Sequence, residues 1–142
     1  FERQFSRFMP GNVFNRNAFM VAVVNGQFPD KSRFPAHIPE RMRSVVKKCL
    51  QPDPTDRFLS ALDVANSLAV VDGLTLDWRH SELQACQRWE KNVEGTLIEF
   101  EWSDTGGTSC YKTKGAGNRR RFLEGCLDRM TDRQVRTFLG EH

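Results

Sequence analysis

The residues of this chain with the plainest capacity for chemistry form the run Gly115-Ala116-Gly117-Asn118-Arg119-Arg120-Arg121. Glycines such as Gly115 and Gly117 let backbone N–H groups come close to a ligand, and the three arginines supply forked donors for phosphate or carboxylate. With Asn118 as the cap of a helix, the arginines stand at its N-terminus. There the dipole disfavours them by roughly a few tenths of a kcal/mol each, yet it favours a bound anion. Such a site would hold a phosphate, a phosphopeptide or a nucleic-acid backbone. The competing reading is a flexible loop whose arginines are solvated or pair with Glu99, Glu101 or Glu124.

Other chemistry is poorly supported. No two of Cys49, Cys86, Cys110 and Cys126 stand at metal-ligand spacing, and the histidines, His37, His80 and His142, are scattered, so no metal site is expected. Wide, irregular cysteine spacing argues against a disulfide framework and for reduced thiols in a cytoplasmic protein. Cys110 and Cys126 have no nearby base that would make either a nucleophile. Glu99, Glu101 and Asp104 resemble a carboxylate cluster, but strand alternation places Glu99 and Glu101 on a wet face. Trp78, Trp89 and Trp102 are read as packing residues rather than a binding platform.

Composition bounds the function class. The chain has 142 residues beginning at Phe1, with 39% hydrophobic residues, 11 Phe and 3 Trp, enough for a folded core. A formal net charge of +3 implies no nucleic-acid partner unless the charge is locally concentrated. No apolar run is long enough to span a bilayer and no signal peptide opens the chain, so no membrane partner is expected.

The elements that must position these residues follow from periodicity. Phe5, Phe8 and Phe14 are too apolar for a free tail and are expected to dock on this chain or on a neighbour. A helix is expected from Asn15 to Val24, with Phe19, Val23 and Val24 on its buried side and Asn25-Gly26 as terminator. A Pro-containing loop, Gln27 to Ile38, leads to a second helix that opens at Pro39. Met42, Val45, Val46, Cys49 and Leu50 give it one apolar stripe, opposite a solvated face of Arg41, Arg43, Lys47 and Lys48. Pro52 and Pro54 end it. Ser60 with Asp63 opens a third helix burying Ala61, Val64, Ala65 and Leu68.

Beyond the connector Leu74 to Glu82, the period shifts toward two. Strands are expected near Ala85–Asn92, around Ile98, Phe100 and Trp102, and over Ser109 to Lys114. Asn118 would then cap a helix carrying Phe122, Leu123, Cys126, Leu127 and Met130. Thr131 with Gln134 forms a capping box for a last helix with Val135, Phe138 and Leu139. The fold class expected is α+β: a helical unit over residues 1–73, then a βββαα module over 74–142 with a three-stranded antiparallel sheet.

Residues Ile38 to Val71 resemble the last two helices of the Ser/Thr protein-kinase C-lobe, most closely in bacterial kinases of the eukaryotic type. The resemblance rests on Pro39, Met42, Val45, Val46, Lys48, Cys49, Leu50, Asp53, Pro54 and Arg57, the pattern Lys-Cys-Leu-x-x-Asp-Pro-x-x-Arg at its centre. It covers about half of the chain. It implies that Arg57 pairs with a Glu at the end of the activation segment, upstream and outside this chain; a local pair with Asp53 or Asp56 is the alternative. Gly-rich loop, strand Lys, H-R-D and D-F-G motifs are all lacking, so no catalytic residue is expected here. What the resemblance implies is a C-terminal kinase fragment with no cofactor of its own. ATP and Mg would belong to the parent, the upstream kinase core would be its partner in the same chain, and a protein would be the parent's substrate. The second half would be a regulatory or protein-interaction module. Alternatives are a nucleic-acid-binding module using Arg119–Arg121, loosely similar to the second half of a double-stranded-RNA-binding domain, or a stand-alone adaptor.

Overall fold

A computed structural model describes residues 2–142. They form two compact units, one of residues 2–34 and 40–71, the other of residues 35–39 and 72–142.

The first unit is helical: α1 (Glu2–Phe5), 3-10 turns at Ser6–Phe8 and Pro10–Asn12, then α2 (Arg16–Val24), α3 (Glu40–Cys49) and α4 (Ala61–Ala69). Asn15 caps α2 by accepting the Ala18 N–H at 3.0 Å, and Gly26, at φ +66°, follows its C-terminus. The early phenylalanines dock on the chain itself. Phe5, Phe8, Phe19 and Phe28 form a ring cluster with centroids 5.2–6.4 Å apart. Phe14 stacks on Phe5 but stays 43% exposed.

Three expectations for this unit need correction. On α2 the buried residues are Ala22 and, in part, Phe19, whereas Val23 and Val24 face solvent. With apolar residues nearly all round α2, periodicity did not identify which side would meet the phenylalanine cluster. On α4, Ala61, Ala65 and Leu68 are exposed and Val64 only half-buried. That helix meets α3 on one side, and among the described residues the rest of its apolar face is exposed. On α3 the stripe holds in a graded way. Val45 is buried, Met42, Val46 and Cys49 are half-buried, and Leu50 is exposed. Arg43, expected in solvent, is buried instead, 3.9 Å from Glu40 and with its guanidinium 5.9 Å from the Phe34 ring centre.

The second unit is a five-stranded antiparallel meander, not a three-stranded sheet: β1 (Arg79–Glu82), β2 (Cys86–Val93), β3 (Thr96–Ser103), β4 (Thr108–Lys114) and β5 (Arg120–Arg121), in that spatial order. The added strands are short edges at each side. β1 lies in what reads as a connector, and β5 in what reads as a helix. Register places Trp89 opposite Phe100 and Phe100 opposite Cys110, so Trp89, Ile98, Phe100 and Cys110 share the buried face. A helix, α5 (Asp132–Glu141), supplies Val135, Phe138 and Leu139 to that face, with Phe138 stacked on Phe100 at 4.7 Å. Its Thr131–Gln134 capping box is formed as expected.

Trp78 and Trp89 are core residues. The Trp78 indole N–H donates to the Leu139 carbonyl at 2.8 Å, and that of Trp89 donates to Nδ1 of His37 at 3.0 Å. His37 comes from the short segment Pro35–Pro39, which packs with this unit and places Ala36 in the same core.

The helix expected from Asn118 to Met130 is absent. Arg120 and Arg121 pair with β4, Leu123–Gly125 is one 3-10 turn, and the chain then runs on beside β4. Phe122 N–H donates to the Cys110 carbonyl, Thr108 N–H to the Leu127 carbonyl and Leu127 N–H to Thr108 Oγ1. Gly125 explains the departure from helical form. A Cβ there would lie 2.5 Å from Cys110 Cβ and 2.8 Å from the Phe138 ring. The backbone reaches the sheet at a point where only glycine fits.

Candidate functional site

Two groups of residues singled out by type fall in different units. In the first unit, the loop between α3 and α4 is ordered by Asp53. Its Oδ1 accepts the N–H of Thr55 at 2.8 Å and the Thr55 hydroxyl at 2.7 Å, capping the 3-10 turn Pro54–Asp56. The Thr55 hydroxyl, then its N–H, hold the Asp53 carboxyl below the ordinary aspartate range, with Arg57 adding to the effect. Arg57 donates Nε–H to the Gln51 carbonyl at 2.7 Å and Nη2–H to the Pro52 carbonyl at 3.1 Å. These carbonyls follow the C-terminus of α3, where a cation is favourable. Arg57 is exposed and has no ion pair among the described residues, so the local pair with Asp53 or Asp56 does not form. Next to it, the Lys48 ammonium sits 4.6 Å from the Phe58 ring centre. Pro39 and Cys49 are half-buried, and Leu50, Asp53 and Pro54 are exposed.

In the second unit the open face of the sheet carries an ion network of which sequence reading offered only one pair, an arginine of the 115–121 run with Glu99. Glu99 faces away from the α5 side, as alternation requires, yet it is buried. Arg88 from β2 closes on one carboxylate oxygen and Arg119 Nε–H donates to the other at 2.7 Å. Arg119 also lies over the Tyr111 ring, 3.6 Å from its centre, and Arg88 reaches Glu90 at 2.7 Å and Glu101 at 3.7 Å. A carboxylate held by two guanidiniums has its acceptor sites occupied, which suits a structural role rather than a base. The competing reading of the 115–121 run, in which its arginines pair with Glu99, Glu101 or Glu124, offered the Arg119 pair. No local pattern identified Arg88 on β2 as the second partner.

The Gly115–Arg121 run therefore divides. Gly115, at φ +53°, and Gly117 shape the turn between β4 and β5. Arg119 is taken up by Glu99. Arg120 and Arg121 belong to an edge strand, so there is no helix N-terminus beside them to bind an anion. Cys110 is buried and its thiol is pushed up to about 12, by burial first and by Cys126 next. Cys126 Sγ accepts the Cys110 N–H at 3.2 Å, and both cysteines are free thiols. Among the described residues no group of three or more His, Cys, Asp or Glu could hold a metal, and no helix is long and apolar enough to cross a membrane. Comparison with known protein families, with curated proteins and with solved structures found no match for this chain.

Proposed function

We propose that this chain is the C-terminal part of a cytoplasmic bacterial Ser/Thr protein kinase, non-catalytic by itself. On this reading the helical unit closes the substrate-binding lobe, and the sheet unit is a regulatory or protein-interaction module. The resemblance places the phosphoryl-transfer motifs upstream, so no step of that reaction is assigned to these residues. ATP and Mg would be held by the upstream core of the parent, and a protein hydroxyl would be its substrate.

The observation that supports this reading best is the state of Arg57. Its guanidinium is held by two carbonyls on one side and meets no carboxylate among the described residues, although Asp53 and Asp56 stand within four positions. Asp53 is instead committed to Thr55. That leaves Arg57 available to a carboxylate from outside the chain, the role the resemblance gives it. The test is the coding sequence upstream of Phe1, in which H-R-D and D-F-G motifs are expected; their absence overturns the proposal. With the parent in hand, removal of residues 74–142 is expected to change its rate or its choice of substrate. Unchanged kinetics would remove the regulatory part.

A further inference from the structure

The two edges of the sheet differ. At one, β5 pairs with β4 over only two residues, and the chain then runs back along β4 through Phe122 and Leu127. At the other, β1 is short, yet it pairs with β2 over all four of its residues without a bulge and carries neither lysine nor proline. Bulges, lysine and proline are common means of keeping an edge from pairing with another chain. Arg79, Ser81 and Glu82 are exposed, and Leu83 just beyond them is 48% exposed. The hydrogen bond from Leu83 N–H to the Cys86 carbonyl sets the alternation of the β1–β2 ladder. Arg79 and Ser81 therefore turn their backbone groups toward β2, and His80 and Glu82 turn theirs outward.

We infer that β1 is a self-association edge, pairing antiparallel with β1 of a second copy about a two-fold axis at Ser81. Such an axis, perpendicular to the sheet, keeps like faces together, so residues standing opposite each other must share a face. The candidate centres are His80, Ser81 and Glu82. Centred on His80, the pairing sets imidazole against imidazole and Glu82 against Trp78, which is buried. Centred on Glu82, it sets two carboxylates directly opposite, which is destabilising. Centred on Ser81, it sets His80 of each copy opposite Glu82 of the other, and both of those pairs exchange backbone hydrogen bonds. An imidazole donates to a carboxylate, and a carboxylate accepts several donors, so this contact adds to those Glu82 makes within its own chain. On the other face Ser81 meets Ser81, and the aliphatic stem of Arg79 covers Leu83 of the second copy. The segment His80-Ser81-Glu82 is thus complementary to itself, which selects a second copy over an unrelated strand. The two five-stranded sheets become one. This inference does not depend on the kinase reading.

The test is sedimentation equilibrium of the full 142-residue chain. So short an edge buries little surface, so the dimer is transient and loading must run from about 1 μM to about 1 mM. A reversible monomer–dimer equilibrium is expected. Glu82→Lys removes the acceptor opposite His80 in both symmetric contacts and is expected to weaken the dimer at least about tenfold. Glu82→Pro removes an outward N–H and no ladder bond to β2, and is expected to abolish the dimer while tryptophan fluorescence shows the monomer folded. Cysteine pairing reads the register. Across a non-hydrogen-bonded pair the Cα atoms stand about 4.5 Å apart, within disulfide reach. Under a mild oxidant Ser81→Cys is therefore expected to cross-link to itself faster than His80→Cys or Glu82→Cys, with the bond mapped by mass spectrometry. A chain that stays monomeric to about 1 mM, a dimer that either Glu82 variant leaves at full affinity, or faster cross-linking at His80→Cys or Glu82→Cys would each overturn the inference.

Discussion

Replacing Glu99 by Gln keeps the side chain's size and removes the charge that two arginines share. The carboxylate is 10% exposed, whereas Arg88 and Arg119 are 29% and 46% exposed. Breaking a fully buried pair by removing one partner costs about 3–5 kcal/mol. Here the orphaned arginines retain water, and Arg88 keeps Glu90 at 2.7 Å, so the expected loss is smaller, about 2 kcal/mol. For a unit of this size that lowers the melting temperature by roughly 8–16 °C. Urea unfolding followed by tryptophan fluorescence reads it directly, since Trp78 and Trp89 are buried in this unit. A double-mutant cycle with Arg119→Gln isolates the pair, with an expected coupling of about 1 kcal/mol. A coupling below about 0.3 kcal/mol would show that the Arg119–Glu99 contact does not hold the turn onto the sheet, and the structural role given to Arg119 would fail.

Two glycine substitutions should have opposite signs. Gly125→Ala drives a methyl into Cys110 and Phe138 and is expected to destabilise by about 1–3 kcal/mol, whereas Gly140→Ala in α5 meets nothing within 4 Å and is expected to stabilise by up to about 1 kcal/mol in the same urea assay. Iodoacetamide labelling of the native chain at mildly alkaline pH should leave Cys110 unmodified until the unit unfolds, because its thiol stays protonated far above that pH. The Asp53 carboxyl is held below its ordinary value, so its contribution is present above the unfolded-state pKa and is lost as pH falls through the folded one. An NMR titration should show Asp53 protonating below an aspartate in an unfolded peptide, and Thr55→Val should shift it back up. A titration unchanged by that substitution would refute the cap.

What the sequence alone determined is what short-range physics controls. Caps act over three residues, so Ser60 and the Thr131–Gln134 box were readable and formed. Alternation acts over two, so the faces of Ile98, Phe100 and Trp102 against Glu99 and Glu101 were readable as well. Burial of those faces was not, because it depends on what comes to cover them. Alternation sent Glu99 outward correctly, but only Arg88 and Arg119, brought in by β2 and the β4–β5 turn, bury it there. The stretch after Asn118 has helical spacing, and its conformation was decided instead by pairing with β4 and by the space left for Gly125 between Cys110 and Phe138. His37, 52 positions from Trp89, shows the same limit most plainly. A hydrogen bond across that separation depends on how the whole unit closes, and no local pattern encodes it.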